Sequence, residues 1–341
     1  MRKGSKVALI AASVAAGTVL VAVGAAIVLT GGANTPAPVP SGWTRPTALP
    51  TSVALAADRF AFDSDRTGTF EVFTEGTDGA GAVQLTSDAA FDSWSPRVSP
   101  DRRTILFYRA PAGKHDLDKS IVSLWAVAAG GGQPVELRPA GLDGWVLQGH
   151  AEWAPDAHTL VMFGGSRISP QIQVTDALGQ KPHAITDRGG TNLDPSFSPD
   201  GTQIVFVGCA QSICREGDYE IYRMPVTGGE ATRLTDDSLR DQDPYWSPDG
   251  TRLAWLTAYG GAGAGVWDVR IGDAQGRSPV RLFGDAGVTS RPAFAADSAS
   301  IFVHRIPPGG ARFDVFRIGV DGTGATSITA SQPGNNEYPS P

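Results

Sequence analysis

The stretch Asp194–Gly208, DPSFSPDGTQIVFVG, returns 49 residues later as DPYWSPDGTRLAWLT, Asp243–Thr257. Weaker copies begin at Ser95 (SPRVSPDRRTILFYR), His150 (HAEWAPDAHTLVMFG) and Arg291 (RPAFAADSASIFVHR). The aspartate that follows the proline, or its substitute, falls at Asp101, Asp156, Asp200, Asp249 and Asp297, with separations of 55, 44, 49 and 48 residues. An interval of that size fits the blades of a β-propeller and is too long for most helical solenoids.

The internal grammar of the unit agrees. A short strand runs into SPDG, where proline presets a turn and glycine takes the left-handed position. An apolar run such as IVFV or LAWL follows, as expected of a strand buried on both faces between neighbouring blades. A variable loop, a third strand (YEIYRMPV, VWDVRIG), a glycine turn and a short fourth strand ending in RLTDD, AITDR or QLTSD complete four antiparallel strands. The segment from Ala57 lacks a first strand, and the chain stops at NNEYPSP, which resembles the start of one. Placing Tyr338–Pro341 beside Phe60–Phe62 closes the ring without a free sheet edge. The expected fold is therefore all-β: a six-bladed β-propeller of four-stranded antiparallel blades over residues 54–341, preceded by one N-terminal transmembrane helix.

That helix is read from MRKGSKVALIAASVAAGTVLVAVGAAIVLTGG. Residues 1–6 are a basic cytoplasmic segment. Val7–Thr30 is uncharged and makes about 36 Å of helix, enough to cross a hydrocarbon core of about 30 Å. No cysteine follows it, which excludes a lipoprotein anchor. An uncleaved signal anchor is favoured, with a cleaved signal peptide as the alternative. The positive-inside rule exports the remainder of the chain. Residues 31–53, rich in proline, are expected to be an extended spacer that holds the propeller off the membrane. The net charge is −7, and −10 without Arg2, Lys3 and Lys6. A surface of that sign repels phosphate backbones, so no nucleic-acid partner is expected.

The unit DPxWSPDG…IaF…eIY…GGe…rLT resembles the TolB-type, WD-like β-propeller repeat of bacterial envelope proteins. The resemblance covers Leu55–Pro341, closely in Asp194–Thr235 and Asp243–Leu282 and loosely elsewhere. TolB carries a further N-terminal domain ahead of its propeller. Here the apolar segment and spacer occupy that place, so no Tol-system role is carried over.

Strand direction puts the SPDG and TGGE turns on one face and the irregular loops on the other, where binding usually resides. The residue before each first-strand proline, or its equivalent, is expected at the channel mouth on the loop face: Ser95, His150, Asp194, Asp243, Arg291 and Tyr338. Together they make a polar binding rim, unless they only cap strand ends and hydrate the channel wall. Asp236, Asp237, Asp241 and Asp243 form an acidic cluster that either is solvated or holds calcium. No other cofactor and no other metal is expected. Trp145, in a long loop between blades, is a candidate surface contact. On an exported chain Cys209 and Cys214 are close enough to form a disulfide. His158 and His183 lie beside tight turns and should be exposed. The chain has no G-x-S-x-G, H-E-x-x-H, phosphate-loop or dinucleotide motif. The leading expectation is a membrane-tethered, non-catalytic scaffold that holds an envelope protein or peptide on its loop face. The alternative is a propeller enzyme (lyase or hydrolase-like), or a small-ligand or metal sensor, with its site at the channel mouth.

Overall fold

The computed structural model describes residues 34–187, 189–211, 214–259 and 266–341. The apolar runs form the second strands, and Phe60–Phe62, Ile105–Phe107, Leu160–Phe163, Ile204–Val207, Leu253–Leu256 and Ile301–Val303 are buried throughout. Around them the chain builds four-stranded antiparallel sheets. One joins the C-terminal strand Asn336–Ser340 to Arg59–Ser64, Glu71–Gly76 and Val83–Gln84. The next three comprise Phe91–Val98, Thr104–Pro111, Ser123–Ala128 and Val135–Arg138; Leu147–Trp153, Thr159–Gly165, Pro170–Asp176 and His183–Ala184; and Thr191–Phe197, Gln203–Cys209, Glu220–Pro225 and Thr232–Arg233.

The remaining strands correct the expectation of six separate sheets. From Asp241–Trp246 to Thr326–Ser327 they form one eight-stranded sheet, because Trp267 and Val288 make a parallel bridge between its two halves. The first strands Asn336–Ser340, Phe91–Val98, Leu147–Trp153, Thr191–Phe197, Asp241–Trp246 and Val288–Phe294 touch one another in that order around a common axis, and the last touches the first. The architecture is an all-β propeller of four-stranded antiparallel blades.

Two recurring polar columns hold the units in shape. Ser198 Oγ donates to Asp200 Oδ1 (2.6 Å) and accepts from Gln203 N (2.9 Å). The Ser99/Asp101 and Ser247/Asp249 pairs have the same 2.6 Å bond. Just after the fourth strand the threonine of the "LT" motif accepts from a third-strand amide and donates to a third-strand carboxylate. Thr235 Oγ1 is 2.9 Å from Ile221 N and 2.6 Å from Glu220 Oε2, and Thr86 bonds Val72 N and Glu71 in the same way.

The proline-rich segment is not a spacer in the part described. Gln180 Nε2 donates to Pro46 O (2.8 Å), Thr104 Oγ1 to Pro50 O (2.9 Å) and Gly130 N to Ser52 Oγ (2.8 Å). Trp43 Nε1 reaches Glu136 O (3.4 Å), and Arg45 pairs with Asp143 (3.0 Å). Extended proline-rich backbone has no internal hydrogen bonds, and here its carbonyls find donors along the propeller wall. Among the described residues the helical turns are the 3-10 segments Leu142–Gly144 and Glu216–Asp218, and no helix is long and apolar enough to cross a membrane. The expected segment Val7–Thr30 lies outside the described residues.

Candidate binding site at the propeller axis

Every first strand slips register once against its second strand. The slips fall at Trp94/Arg97, Gly149/Glu152, Leu193/Ser196, Gln242/Tyr245 and Ser290/Ala293, and opposite Ala61/Asp63 in the closing blade. Such β-bulges bend a strand and re-aim a side chain. The first of the two residues within each is a rim candidate, and all six have left-handed backbone. Their φ values are 55° at Ser95, 49° at His150, Asp194 and Asp243, 43° at Arg291 and 48° at Tyr338. This conformation costs a non-glycine residue about 1–2 kcal/mol, and it persists here in every unit.

Second-strand side chains catch amides freed by the bulges. Ser95 N donates to Asp63 Oδ1 (2.8 Å), Ala151 N to the Tyr108 hydroxyl (2.7 Å) and Tyr338 N to His304 Nδ1 (3.0 Å). Acceptance at Nδ1 keeps His304 neutral. Burial and the neighbouring His115 hold its pKa down at about 3. Its isolation in the sequence therefore reflects a buried structural role.

The rim lies deeper than the sequence suggested, with Ser95, Asp243, Arg291 and Tyr338 all buried. It splits into two groups. Arg291 turns away from the mouth. Its Nη1 donates to Ser95 Oγ (2.8 Å), and its Nε and Nη2 donate to the Tyr245 hydroxyl (3.1 and 2.9 Å). That hydroxyl donates to Glu152 Oε1 (2.6 Å) and accepts from Arg97 Nη2 (3.1 Å), while Arg97 Nε pairs with Glu152. Arg97 and Tyr245 stand on opposite sides of the ring, so these bonds cross the axis and close it. Burial disfavours ionised tyrosine, and the Tyr245 pKa is raised well above its usual value. Sequence reading missed this plug. The signal was present, because Arg97, Glu152 and Tyr245 each stand two residues after a rim position.

The second group faces the loops. His150 Nδ1 lies 2.8 Å from Asp194 Oδ1 and 3.3 Å from Asp243 Oδ1. Burial opposes charge on His150, but the two carboxylates outweigh it and raise its pKa to about 10. Burial and the Asp194 charge raise the Asp243 pKa. The loop after Pro111 folds inward over this cluster. Tyr338 donates its hydroxyl to Asp116 Oδ2 (2.9 Å), Lys119 pairs with Asp116, and His115 stacks on Phe70 with 3.8 Å between centroids. A cavity of about 30 Å³ remains, lined by Asp116, Lys119, His150, Asp194, Asp243 and Tyr338 among others. That is space for a water or an ion, too little for an organic ligand.

The other candidates disperse. Asp236 pairs with Arg233 (2.8 Å) and Asp237 with Arg270 (2.6 Å), while Asp241 accepts from Thr257 Oγ1 (2.6 Å). With Asp243 turned to the axis, the four acids expected as one cluster do not meet. Burial raises the Asp241 pKa to about 7. Trp145 is held between strand and guanidinium rather than displayed. Arg138 lies 3.7 Å over its ring, and a Cβ on Gly164 would fall 2.2 Å from the ring atoms. Cys209 and Cys214 form a disulfide, and His158 and His183 are exposed.

The β-propeller is a class of fold with known relatives. Residues 146–264 match the family model of the TolB beta propeller domain. A Protein TolB homolog of Chlorobium luteolum is 26% identical over 177 residues, which cover 52% of this chain and 36% of that protein. The chain thus spans about a third of the length of the curated relatives it matches. TolB from Acinetobacter baumannii superposes with a TM-score of 0.64 at 18% identity, covering 83% of this chain and 66% of that one. An oligogalacturonate lyase from Vibrio parahaemolyticus gives 0.53 at 12% identity, covering 80% and 75%. Residues 146–264 thus resemble a TolB-type propeller repeat, and the likenesses to the solved TolB and to the lyase are ones of fold.

Proposed function

We propose that this chain is an exported, membrane-tethered binding propeller that holds an envelope protein or peptide on its loop face without catalysing a reaction. On this reading the eight-stranded sheet acts as two blades, giving six units around the axis, and Val7–Thr30 is the tether. The closed axis is the observation that carries the proposal. With Arg97, Glu152, Tyr245 and Arg291 bonded across the channel, the described side chains close it to a threading segment, and the cavity of about 30 Å³ left at the axis is too small to enclose an organic substrate. A partner is therefore met at the surface. Leu117 and Ile168, exposed at 56% and 66%, lie on second-to-third-strand loops of neighbouring blades on that face. The TolB-type repeat, found in envelope proteins, supports the compartment.

The test is photo-crosslinking from the loop face in intact cells, comparing the wild type with a Leu117→Asp/Ile168→Asp double variant. The expected result is one recurrent protein adduct that the double variant loses while its thermal unfolding is unchanged. The same adduct at undiminished yield in the variant, or no adduct from the loop face, would overturn the reading.

A further inference from the structure

We propose that His150, Asp194 and Asp243 form a three-ligand site for a divalent transition-metal cation of the zinc or manganese class, open towards the mouth cavity. The inference goes beyond the binding reading and does not depend on it. The His150 Nδ1 and one oxygen from each carboxylate all lie within 4.8 Å of one another, and among the described residues no other group of three such ligands is found.

The placement is built into the backbone. The three residues occupy the same bulge on three successive first strands and share a φ of 49°, so the repeat itself converges their donor atoms on one point. Asp243 is only 6% exposed, yet its Oδ1 has no hydrogen-bond donor. Its 3.3 Å contact with His150 Nδ1 is an ion pair without hydrogen-bond geometry. A buried carboxylate oxygen of this kind is costly to leave unpaired, and it points at the other two ligands. The neighbouring Lys119 does not compete for the carboxylates, since its ammonium is paired with Asp116.

The donor set selects the ion. Calcium takes six to eight oxygen ligands, whereas one imidazole with two carboxylates suits zinc and its neighbours. Three protein ligands leave at least one position for water, which the cavity of about 30 Å³ can hold. Binding needs the imidazole lone pair at Nδ1. The proton on that nitrogen is released to solvent, Nε2 keeps its own, and the cation then balances both carboxylates.

The experiment uses the full chain in detergent, stripped with chelator and dialysed against equal concentrations of zinc, manganese and calcium chlorides before elemental analysis. One zinc or manganese ion per chain is expected, with little calcium. Asp194→Asn and Asp243→Asn keep a residue type that tolerates left-handed backbone, so both should fold, with circular dichroism as the check. Each should retain metal at least tenfold more weakly. Cobalt loading of the wild type should give a visible ligand-field spectrum that His150→Asn abolishes, and zinc titrations in buffers of different ionisation enthalpy should report proton release. The proposal fails if the stripped wild type takes up no ion, if calcium is preferred, or if folded variants retain metal as well as the wild type. The last outcome is that expected of adventitious binding at the exposed His158 and His183. No partner is needed for the measurement, so its failure leaves the proposed function standing.

Discussion

Each full repeat carries one polar residue at its turn and another at its bulge, and these two columns solve opposite problems. The turn aspartates Asp101, Asp156, Asp200, Asp249 and Asp297 accept hydrogen bonds within their own turns. Local donors hold all five carboxyls below their usual pKa range. A residue satisfied by its own neighbours can be repeated without limit. Bulge residues converge on one axis, where repetition of a charge would bring like charges together in a site of low dielectric. Hence that column varies through Ser95, His150, Asp194, Asp243, Arg291 and Tyr338, with partners on other strands, and its two like charges, Asp194 and Asp243, meet on His150. Regularity marks residues whose chemistry closes locally, and variation marks those whose chemistry closes across the ring.

The most severe way to break the axial column is to remove its last member with its strand. Deleting Asn336–Pro341 removes the partner of Arg59–Ser64, together with the Tyr338–Asp116 and Tyr338–His304 bonds. The expected outcome is loss of cooperative thermal unfolding by circular dichroism. A melt like that of the full chain would show that the ring does not depend on closure by its two ends.

Removing one charge from the plug is the next largest effect. Glu152→Ala leaves Arg97 and Arg291 buried without their carboxylate, and breaking a buried pair in this way costs about 3–5 kcal/mol. Urea denaturation should show the loss in the midpoint. A change below about 1 kcal/mol would mean that water replaces the carboxylate at the axis.

Burial of the closing strand also leaves a pH signature. Glu337 is buried beside Tyr338, and desolvation raises its pKa to about 8 from 4.5. Between those values the folded state keeps a proton that the unfolded state has released. This group's contribution to stability therefore falls as pH rises through that window. Glu337→Gln cannot ionise and should remove that part of the decline. The melting temperatures of variant and wild type should agree near pH 4.5 and separate by several degrees near pH 9, with the variant higher. Parallel curves would place the ionised carboxylate in water.

The contrast between the columns explains what could be read in advance. Pro199, Asp200 and Gly201 are legible because their turn is local, and the apolar Ile204–Val207 run is legible because burial on both faces leaves no alternation. Asp194 was legible as a position open to function, since it varies where the turn residues recur. Its place beside His150 on the rim was legible from the repeat, and the 2.8 Å contact between them was not. Tyr245 was legible only as a residue two places after a rim position, and its bond with Arg97 across 148 positions was not. Acidic sequence neighbours misled in the converse way: Asp236 and Asp237 are drawn to Arg233 and Arg270 ahead of the strand, and the bulge with left-handed backbone at Asp243 turns that residue away from Asp241. The proline-rich segment misled because composition records that it is extended and is silent on what it lies against.

The finest distinction between the columns lies in how their substitutions combine. Asp101→Ala and Asp200→Ala each remove bonds confined to a single turn, and the two turns share no partner. Their effects on the unfolding midpoint should be small and should add within measurement error. Glu152→Gln and Tyr245→Phe act on a shared network, since the Tyr245 hydroxyl donates to Glu152 while both receive Arg97. A double-mutant cycle on that pair should show a coupling of about 0.5–3 kcal/mol. The sign also discriminates. Once Glu152 has lost its charge, the hydroxyl loses its acceptor of choice, so removing it should cost less than in the wild type. Additivity at both places would mean that the axial bonds are independent contacts. Coupling confined to the axis would establish it as one cooperative polar unit.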